Sequence, residues 1–272
     1  MIKVLKNKVE QVLRLTYLNS LTRFNNSVVL VEYPKSGGTW LGQLVSNYLE
    51  IPFPRNRFPI MRRSLFHGHY LPKHIGNNNK IIFLVRDGRD VLISFYHHQL
   101  IWNDKNKSEP HNVNYHRGAV DFDDFENVKK NILSYMKYSY ENQPSKLRRF
   151  VFPGSWHDYN KTWLLKKEKA DNIYIVRYED LLENTYETLK NLLVTFFDIS
   201  EINEEHLKAV IQKFSFENQT KRKKGEENTK SFLRKGIRGD WKNFFDEKEK
   251  EAFKKYSNDL LIKLGYEKDN DW

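Results

Sequence analysis

Val28-Val29-Leu30-Val31-Glu32-Tyr33-Pro34-Lys35-Ser36-Gly37-Gly38-Thr39-Trp40-Leu41-Gly42-Gln43-Leu44-Val45 changes character halfway along. Residues 28–33 form a short β-branched apolar run, the pattern of a strand buried on both faces. Pro34 closes it, because proline has no N–H to give to a ladder. After the turn Lys35-Ser36-Gly37-Gly38, apolar residues return at helical spacing from Thr39 to Leu49. Strand, glycine turn, helix is the result. The same order recurs at Lys80-Ile81-Ile82-Phe83-Leu84-Val85, where Arg86-Asp87-Gly88-Arg89-Asp90 leads into a helical Val91 to Gln99. A third copy runs from Asn172-Ile173-Tyr174-Ile175-Val176-Arg177-Tyr178 to a helical Thr185 to Phe197. Strands alternating with helices predict an α/β fold, a three-layer sandwich around a central parallel sheet. Ligands of such sheets bind beyond the carboxyl ends of the strands, where all three turns lie.

The chain has 272 residues, enough for one large domain or two small ones. No internal repeat or low-complexity linker interrupts it, so residues 1–272 read as a single domain with insertions. Residues 101–160, rich in Asn, His, Lys and Tyr, are expected to be surface helices or a substrate-side covering segment. Residues 219–242 carry Lys221-Arg222-Lys223-Lys224, Arg234, Lys235 and Arg238, and read as a basic arm that orders on binding. The 46 Lys and Arg against 35 Asp and Glu leave +11, which calls for an anionic partner: nucleic acid, an acidic membrane face or a phosphate-rich small molecule. The absence of cysteine excludes disulfides, thiolate nucleophiles and Cys-ligated metals.

No run reaches the roughly 18 apolar residues of a membrane span. Lys3 and Lys6 interrupt any signal-peptide core, so a soluble, cytoplasmic protein is expected. Ile2, Leu5, Val9, Val12 and Leu13 share one helical face. That face either caps the domain or makes a peripheral membrane contact.

The glycine turn has the chemistry of an anion cradle. Glycines let backbone N–H groups approach a ligand, a helix N-terminus presents unpaired donors, Lys35 adds a full charge, and Ser36 and Thr39 add hydroxyls. A nucleotide triphosphatase loop would place its lysine after the glycines, and here the lysine precedes them, which opposes an ATPase or kinase. A Gly-Gly turn is also a common structural device.

Tyr33-Pro34-Lys35-Ser36-Gly37-Gly38-Thr39-Trp40 resembles the 5′-phosphosulfate loop of sulfotransferases that use 3′-phosphoadenosine 5′-phosphosulfate (PAPS). Arg86-Asp87-Gly88-Arg89-Asp90-Val91-Leu92-Ile93-Ser94-Phe95-Tyr96 is similar to their 3′-phosphate motif. Arg234-Lys235-Gly236-Ile237-Arg238-Gly239-Asp240-Trp241 resembles their C-terminal signature. Three matches in family order span most of the chain. The resemblance implies a P-loop nucleotide-binding type of fold, with Lys35, Ser36, Gly37, Gly38, Thr39 and Trp40 at the 5′ end of the donor. It assigns Arg86, Ser94, Arg234, Lys235 and Gly236 to the 3′-phosphate, and Trp40, Tyr178 and the Ser215-Phe216 pair to the side of the adenine. For Tyr178 and Phe216, core packing is the competing reading.

Family members carry a base histidine shortly before the Arg-bearing strand. Phe66-His67-Gly68-His69-Tyr70-Leu71-Pro72 offers two, and His69 aligns with the base because Pro72 follows close behind. His67 then stands where the family often has lysine. Histidine as a residue type can take up a proton near neutral pH, which suits either for the role. The implied chemistry is in-line sulfuryl transfer to a hydroxyl or amine, with His69 taking the proton and Lys35 neutralising charge on the leaving oxygen. No metal is called for.

The acceptor is a small molecule, glycan or lipid, and Trp102, His116, Trp156, His157 and Tyr159 are expected to border its pocket. The C-terminal stretch lacks the short pairing motif of cytosolic vertebrate relatives, and Leu264-Gly265-Tyr266 is more like bacterial members. Two alternatives stand beside the enzyme: a catalytically inactive nucleotide-binding member of the fold, and a nucleic-acid-binding protein using the basic arm, although no nucleic-acid motif accompanies that arm.

Overall fold

The computed structural model describes residues 13–20, 26–54, 62–77, 79–108, 110–142 and 154–272. These fall into two compact units. The first takes the chain up to Val85 and again over Asp158–Phe214. The second takes Arg86 to residue 142, Gly154–His157 and Ser215–Trp272.

The first unit holds the sheet. Its strands are β1 (Val28–Glu32), β2 (Leu65–Gly68), β3 (Lys80–Val85) and β4 (Ile173–Arg177), in the order β2-β1-β3-β4. All are parallel, with Val28 opposite Leu65 and Lys80, and Ile81 opposite Ile173. Every residue of β1 is buried, and since successive side chains point to opposite faces, both faces are covered. Helix α1 (Gly38–Tyr48) puts Leu41, Leu44 and Val45 on one face at helical spacing. They join a core with Leu189, Leu192 and Leu193 of the helix Thr185–Phe197 and Leu207 and Val210 of the helix Glu204–Lys213. The strands β1, β3 and β4 fall where the apolar runs predicted them. The edge strand β2 was not anticipated, because Leu-Phe-His-Gly has neither alternation nor a β-branched residue.

The N-terminal amphipathic stretch lies outside the described residues as far as residue 12. Residues 13–20 are helical; Leu18 is buried and Tyr17 packs on Phe66 at 5.5 Å, while Leu13, the part of the predicted apolar face that falls within the described residues, stands exposed. No helix among the described residues is long and apolar enough to cross a membrane.

The second unit is built around α2 (Gly88–Leu100), with helices Pro110–Arg117, Val128–Glu141, Phe216–Thr220, Glu247–Ser257 and Leu260–Lys263. Tyr96 of α2 donates to the Phe125 carbonyl at 2.9 Å and accepts from Asn131 at 2.9 Å, so its buried hydroxyl is satisfied. The basic stretch 219–242 braces itself. Arg222 donates to the carbonyls of Glu226 (2.7 Å), Arg234 (2.8 Å) and Leu233, and Gly225 N–H to Lys235 O at 2.9 Å. One cation of the basic stretch is thus spent on its own backbone.

Candidate active site

In the first unit, β1 delivers the chain to a turn whose backbone is unusual. Lys35 has φ 74° and Gly37 φ 105°, so two of three consecutive residues are left-handed. For lysine this conformation costs on the order of 1 kcal/mol, a strain typical of ligand-holding segments. Alternating handedness of this kind turns successive N–H groups toward one concave side. Gly37 is required twice over, since a Cβ there would lie 2.7 Å from the Tyr178 ring as well as in a strained φ. Ser36 is buried, and its Oγ has no hydrogen-bond partner. Trp40 is held by a bond from Nε1 to the Phe214 carbonyl at 2.9 Å, and its ring meets Tyr178 edge-on at 6.0 Å. The structure thus brings the loop, Trp40 and Tyr178 together.

Both histidines converge on Glu32, the last residue of β1. His67 Nε2 lies 2.9 Å from Glu32 Oε1, and Gly38 N–H donates to Oε2 at 2.5 Å. Burial alone would raise this carboxyl, but the hydrogen bond and charge of His67, the charge of His69 and the Gly38 N–H outweigh it and hold Glu32 below the usual carboxylate range. An ionised carboxylate only accepts, so Nε2 of His67 carries the proton of that bond. His69 Nδ1 lies 3.0 Å from the Glu32 backbone oxygen. A carbonyl cannot donate, so Nδ1 is the protonated nitrogen and the neutral ring presents its lone pair at Nε2.

In the second unit, Arg86 directly follows β3 and opens the turn into α2, and Ser94 is half-buried on that helix. Asp87 caps α2 by accepting the Arg89 N–H at 2.9 Å and binds the Arg89 guanidinium at 2.7 and 3.0 Å. Arg89 is buried between Trp241 (3.9 Å) and Trp272 (4.3 Å) and pairs with Glu267 at 2.5 Å. Asp90 accepts the N–H groups of Gly239 (2.6 Å) and Trp241 (2.9 Å), which ties the Arg86 turn to the C-terminal signature. Arg234 binds Asp240 and Glu227, and Lys235 binds Asp240 at 2.8 Å. Burial raises the Asp240 carboxyl, but the charge of Arg234 and hydrogen bonds from Lys235, Arg234 and Asn243 prevail and hold it low. Phe216 is buried against Gly236, where a Cβ would lie 2.5 Å from the ring, and Ser215 caps its helix by accepting Asn218 N–H at 3.2 Å.

The acceptor-side expectation changes at two residues. Trp156 is buried, with Nε1 on the Arg86 carbonyl at 3.1 Å, and its ring is so close to Gly88 that a Cβ there would lie 2.7 Å away. Tyr159 is buried with its hydroxyl on the Tyr70 carbonyl at 3.1 Å. Both are packing residues whose polar ends are already satisfied. His116 pairs with the Tyr138 hydroxyl at 2.8 Å. Glu32, Asp90 and Asp240 were missed by sequence reasoning. The available signal was a single acidic residue ending an otherwise apolar strand, just before the glycine turn.

Residues 50–265 match the sulfotransferase domain family. Mouse (Mus musculus) sulfotransferase 1B1 is 27% identical over 268 residues, covering 83% of this chain and 79% of that protein. Sulfotransferase 2A1 of Macaca fascicularis is 26% identical over 275 residues, covering 88% and 86%. Among solved structures, mouse sulfotransferase SULT7A1 complexed with PAP superposes with a TM-score of 0.62 at 19% identity, over 93% of this chain and 89% of that one. Retinol dehydratase in complex with androsterone and inactive cofactor PAP gives 0.56 at 17%, over 87% and 80%. At these identities the superpositions establish the fold, an α/β sandwich on a parallel sheet.

Proposed function

The chain belongs to the sulfotransferase domain family, and we propose that it moves the sulfuryl group of PAPS onto a hydroxyl or amine of a small acceptor, with His69 as base. The observation that carries the donor assignment is the buried Ser36 hydroxyl left without a partner, in a loop whose Lys35 and Gly37 are both left-handed. A buried hydroxyl without a partner costs about 1–3 kcal/mol, and an anionic oxygen is the group that would relieve it. The solved relatives named above, both complexed with PAP, support PAPS as the donor.

In this reading Lys35, Ser36, Gly37, Gly38, Thr39 and Trp40 hold the 5′ end of the donor. Trp40, Tyr178 and Phe216 serve the adenine. Arg86, Ser94, Arg234, Lys235 and Gly236 serve the 3′-phosphate, and Ser215 caps the helix that carries Phe216. The donor supplies a sulfuryl group on a phosphate leaving group. Lys35 places its charge, and Ser36 its O–H, where negative charge develops on that phosphate, normally the largest catalytic contribution. His69 Nε2 takes the proton released by the acceptor, while its Nδ1–H stays on the Glu32 carbonyl and keeps the ring oriented.

A glycan or lipid acceptor remains within this chemistry. The nucleic-acid alternative loses support, because the basic stretch falls within the residues that match the sulfotransferase domain family and its Arg222 is bonded to backbone carbonyls. The test is thermal: PAP at about 100 times its Kd adds about 2.7 kcal/mol of stability. For a chain of this size that is a rise in Tm of about 5–10 °C. ATP at the same concentration should raise Tm far less, and equal shifts would refute the donor assignment.

A further inference from the structure

A carboxylate at the end of a buried strand is expensive, since desolvating an ion costs several kcal/mol unless partners restore what water gave. Nothing in the strand geometry asks for Glu32, and Val or Thr would end β1 as well. The chain nevertheless compensates this side chain, with His67 Nε2 at 2.9 Å and Gly38 N–H at 2.5 Å on its two oxygens, while the His69 ring sits on the backbone carbonyl of the same residue at 3.0 Å. Space is also reserved for it. A Cβ on Gly38 would lie 2.5 Å from His67 Nε2 and 2.6 Å from the Glu32 carboxyl carbon, so the second glycine of the loop is the imprint of this pair.

We propose that Glu32 is a positioning residue of the sulfuryl-transfer site, whose carboxylate fixes His67 and the Gly38 end of the donor loop and whose charge strengthens His69 as the proton acceptor. This rests on the reading of His69 as the base. The geometry resembles the logic of a buried acid that orients an imidazole and stabilises its protonated form without itself taking the proton. It differs in that one residue serves two imidazoles, one through its side chain and one through its backbone.

The titratable groups facing Glu32 are His67 on β2, His69 just after it, and Tyr159 on the helix Trp156–Lys167. Burial, reinforced by the Glu32 charge, pushes the Tyr159 phenol well up, so it stays neutral and adds no charge of its own. The pH behaviour is therefore that of one carboxylate and two imidazoles. A negative charge near His69 favours its protonated form, so removing that charge moves the titration of the ring to lower pH.

The experiment follows the imidazole C2–H resonances of the full chain saturated with PAP, assigned with His67→Gln and His69→Gln, in the wild type, Glu32→Gln and Glu32→Asp. The amide keeps the size but loses the charge, and the aspartate keeps the charge but is one methylene short. Glu32→Gln should displace the His69 titration to lower pH and lower kcat at least about tenfold; its amide oxygen still accepts the Gly38 N–H and holds the loop, so the Kd for PAP should stay within about threefold of wild type. Glu32→Asp should leave the titration in place while kcat falls, and it carries the test if the amide variant does not fold. An unmoved titration in Glu32→Gln overturns the proposal. So does a tighter Kd for PAP with kcat unchanged, which would make Glu32 a stand-in anion on the loop. Full turnover in His69→Ala would instead overturn the reading of His69 as base, and the titration data would still report whether Glu32 couples to the rings.

Discussion

Replacing Ser36 by alanine should make the ligand-free protein more stable and its donor complex weaker, two changes of opposite sign from one atom. Ser36 is 1% exposed and its Oγ has no partner, so the free protein carries an unsatisfied buried hydroxyl. Removing it relieves about 1–3 kcal/mol. With Tm moving about 2–4 °C per kcal/mol for a chain of this size, the free variant should melt about 2–12 °C higher. In the donor complex the same hydroxyl would meet an anionic oxygen, and a hydrogen bond to a charged group is worth about 1.5–3 kcal/mol. Its loss should weaken PAP about 10- to 150-fold. Differential scanning fluorimetry of the free variant and calorimetric titration with PAP measure the two halves separately. A variant that melts lower and binds PAP as before would show that the hydroxyl is structural and would refute the reasoning from the orphaned donor.

Two further predictions concern the second unit. Trp272→Ala removes one face of the aromatic clasp on Arg89, a cation–π contact worth about 1–2 kcal/mol when desolvated, so Tm should fall by roughly 2–8 °C; an unchanged Tm would mean that Trp241 and the carboxylates hold Arg89 alone. The Asp240 carboxyl is held below its ordinary 3.8, so it contributes stability that is complete above that pH and is lost as pH falls through the folded value. Asp240→Asn should therefore lower Tm at pH 7, with the difference from wild type shrinking as pH falls below about 4; a constant difference from pH 7 to pH 3 would contradict that assignment.

The sheet was legible because β1, β3 and β4 are apolar runs, and burial on both faces, as in the central β1 and β3, leaves a one-dimensional trace. β2 left none, since an edge strand of four residues is defined by the neighbour it pairs with. The glycine loop was legible for a similar reason: left-handed backbone at Gly37 needs a residue without a Cβ. Glu32 was opaque because its compensation comes from His67, 35 residues away, and no local pattern records a partner at that distance. Trp156 and Tyr159 looked like acceptor-side aromatics, yet their polar ends are spent on the Arg86 and Tyr70 carbonyls. Aromatic residues with a polar tip suit a pocket wall and a satisfied core equally well, and composition cannot separate the two. The charge of +11 likewise said nothing about which cations face inward.

The most direct measurement is transfer of labelled sulfuryl from ³⁵S-PAPS to a panel of phenols, alcohols, amines and sugars, with wild type and His69→Ala side by side. The account predicts a labelled ester or sulfamate with at least one acceptor class for the wild type, and its loss in His69→Ala with the Kd for PAP preserved. Tight PAP binding with no labelled product from any acceptor class would contradict it and identify a nucleotide-binding protein without transferase activity.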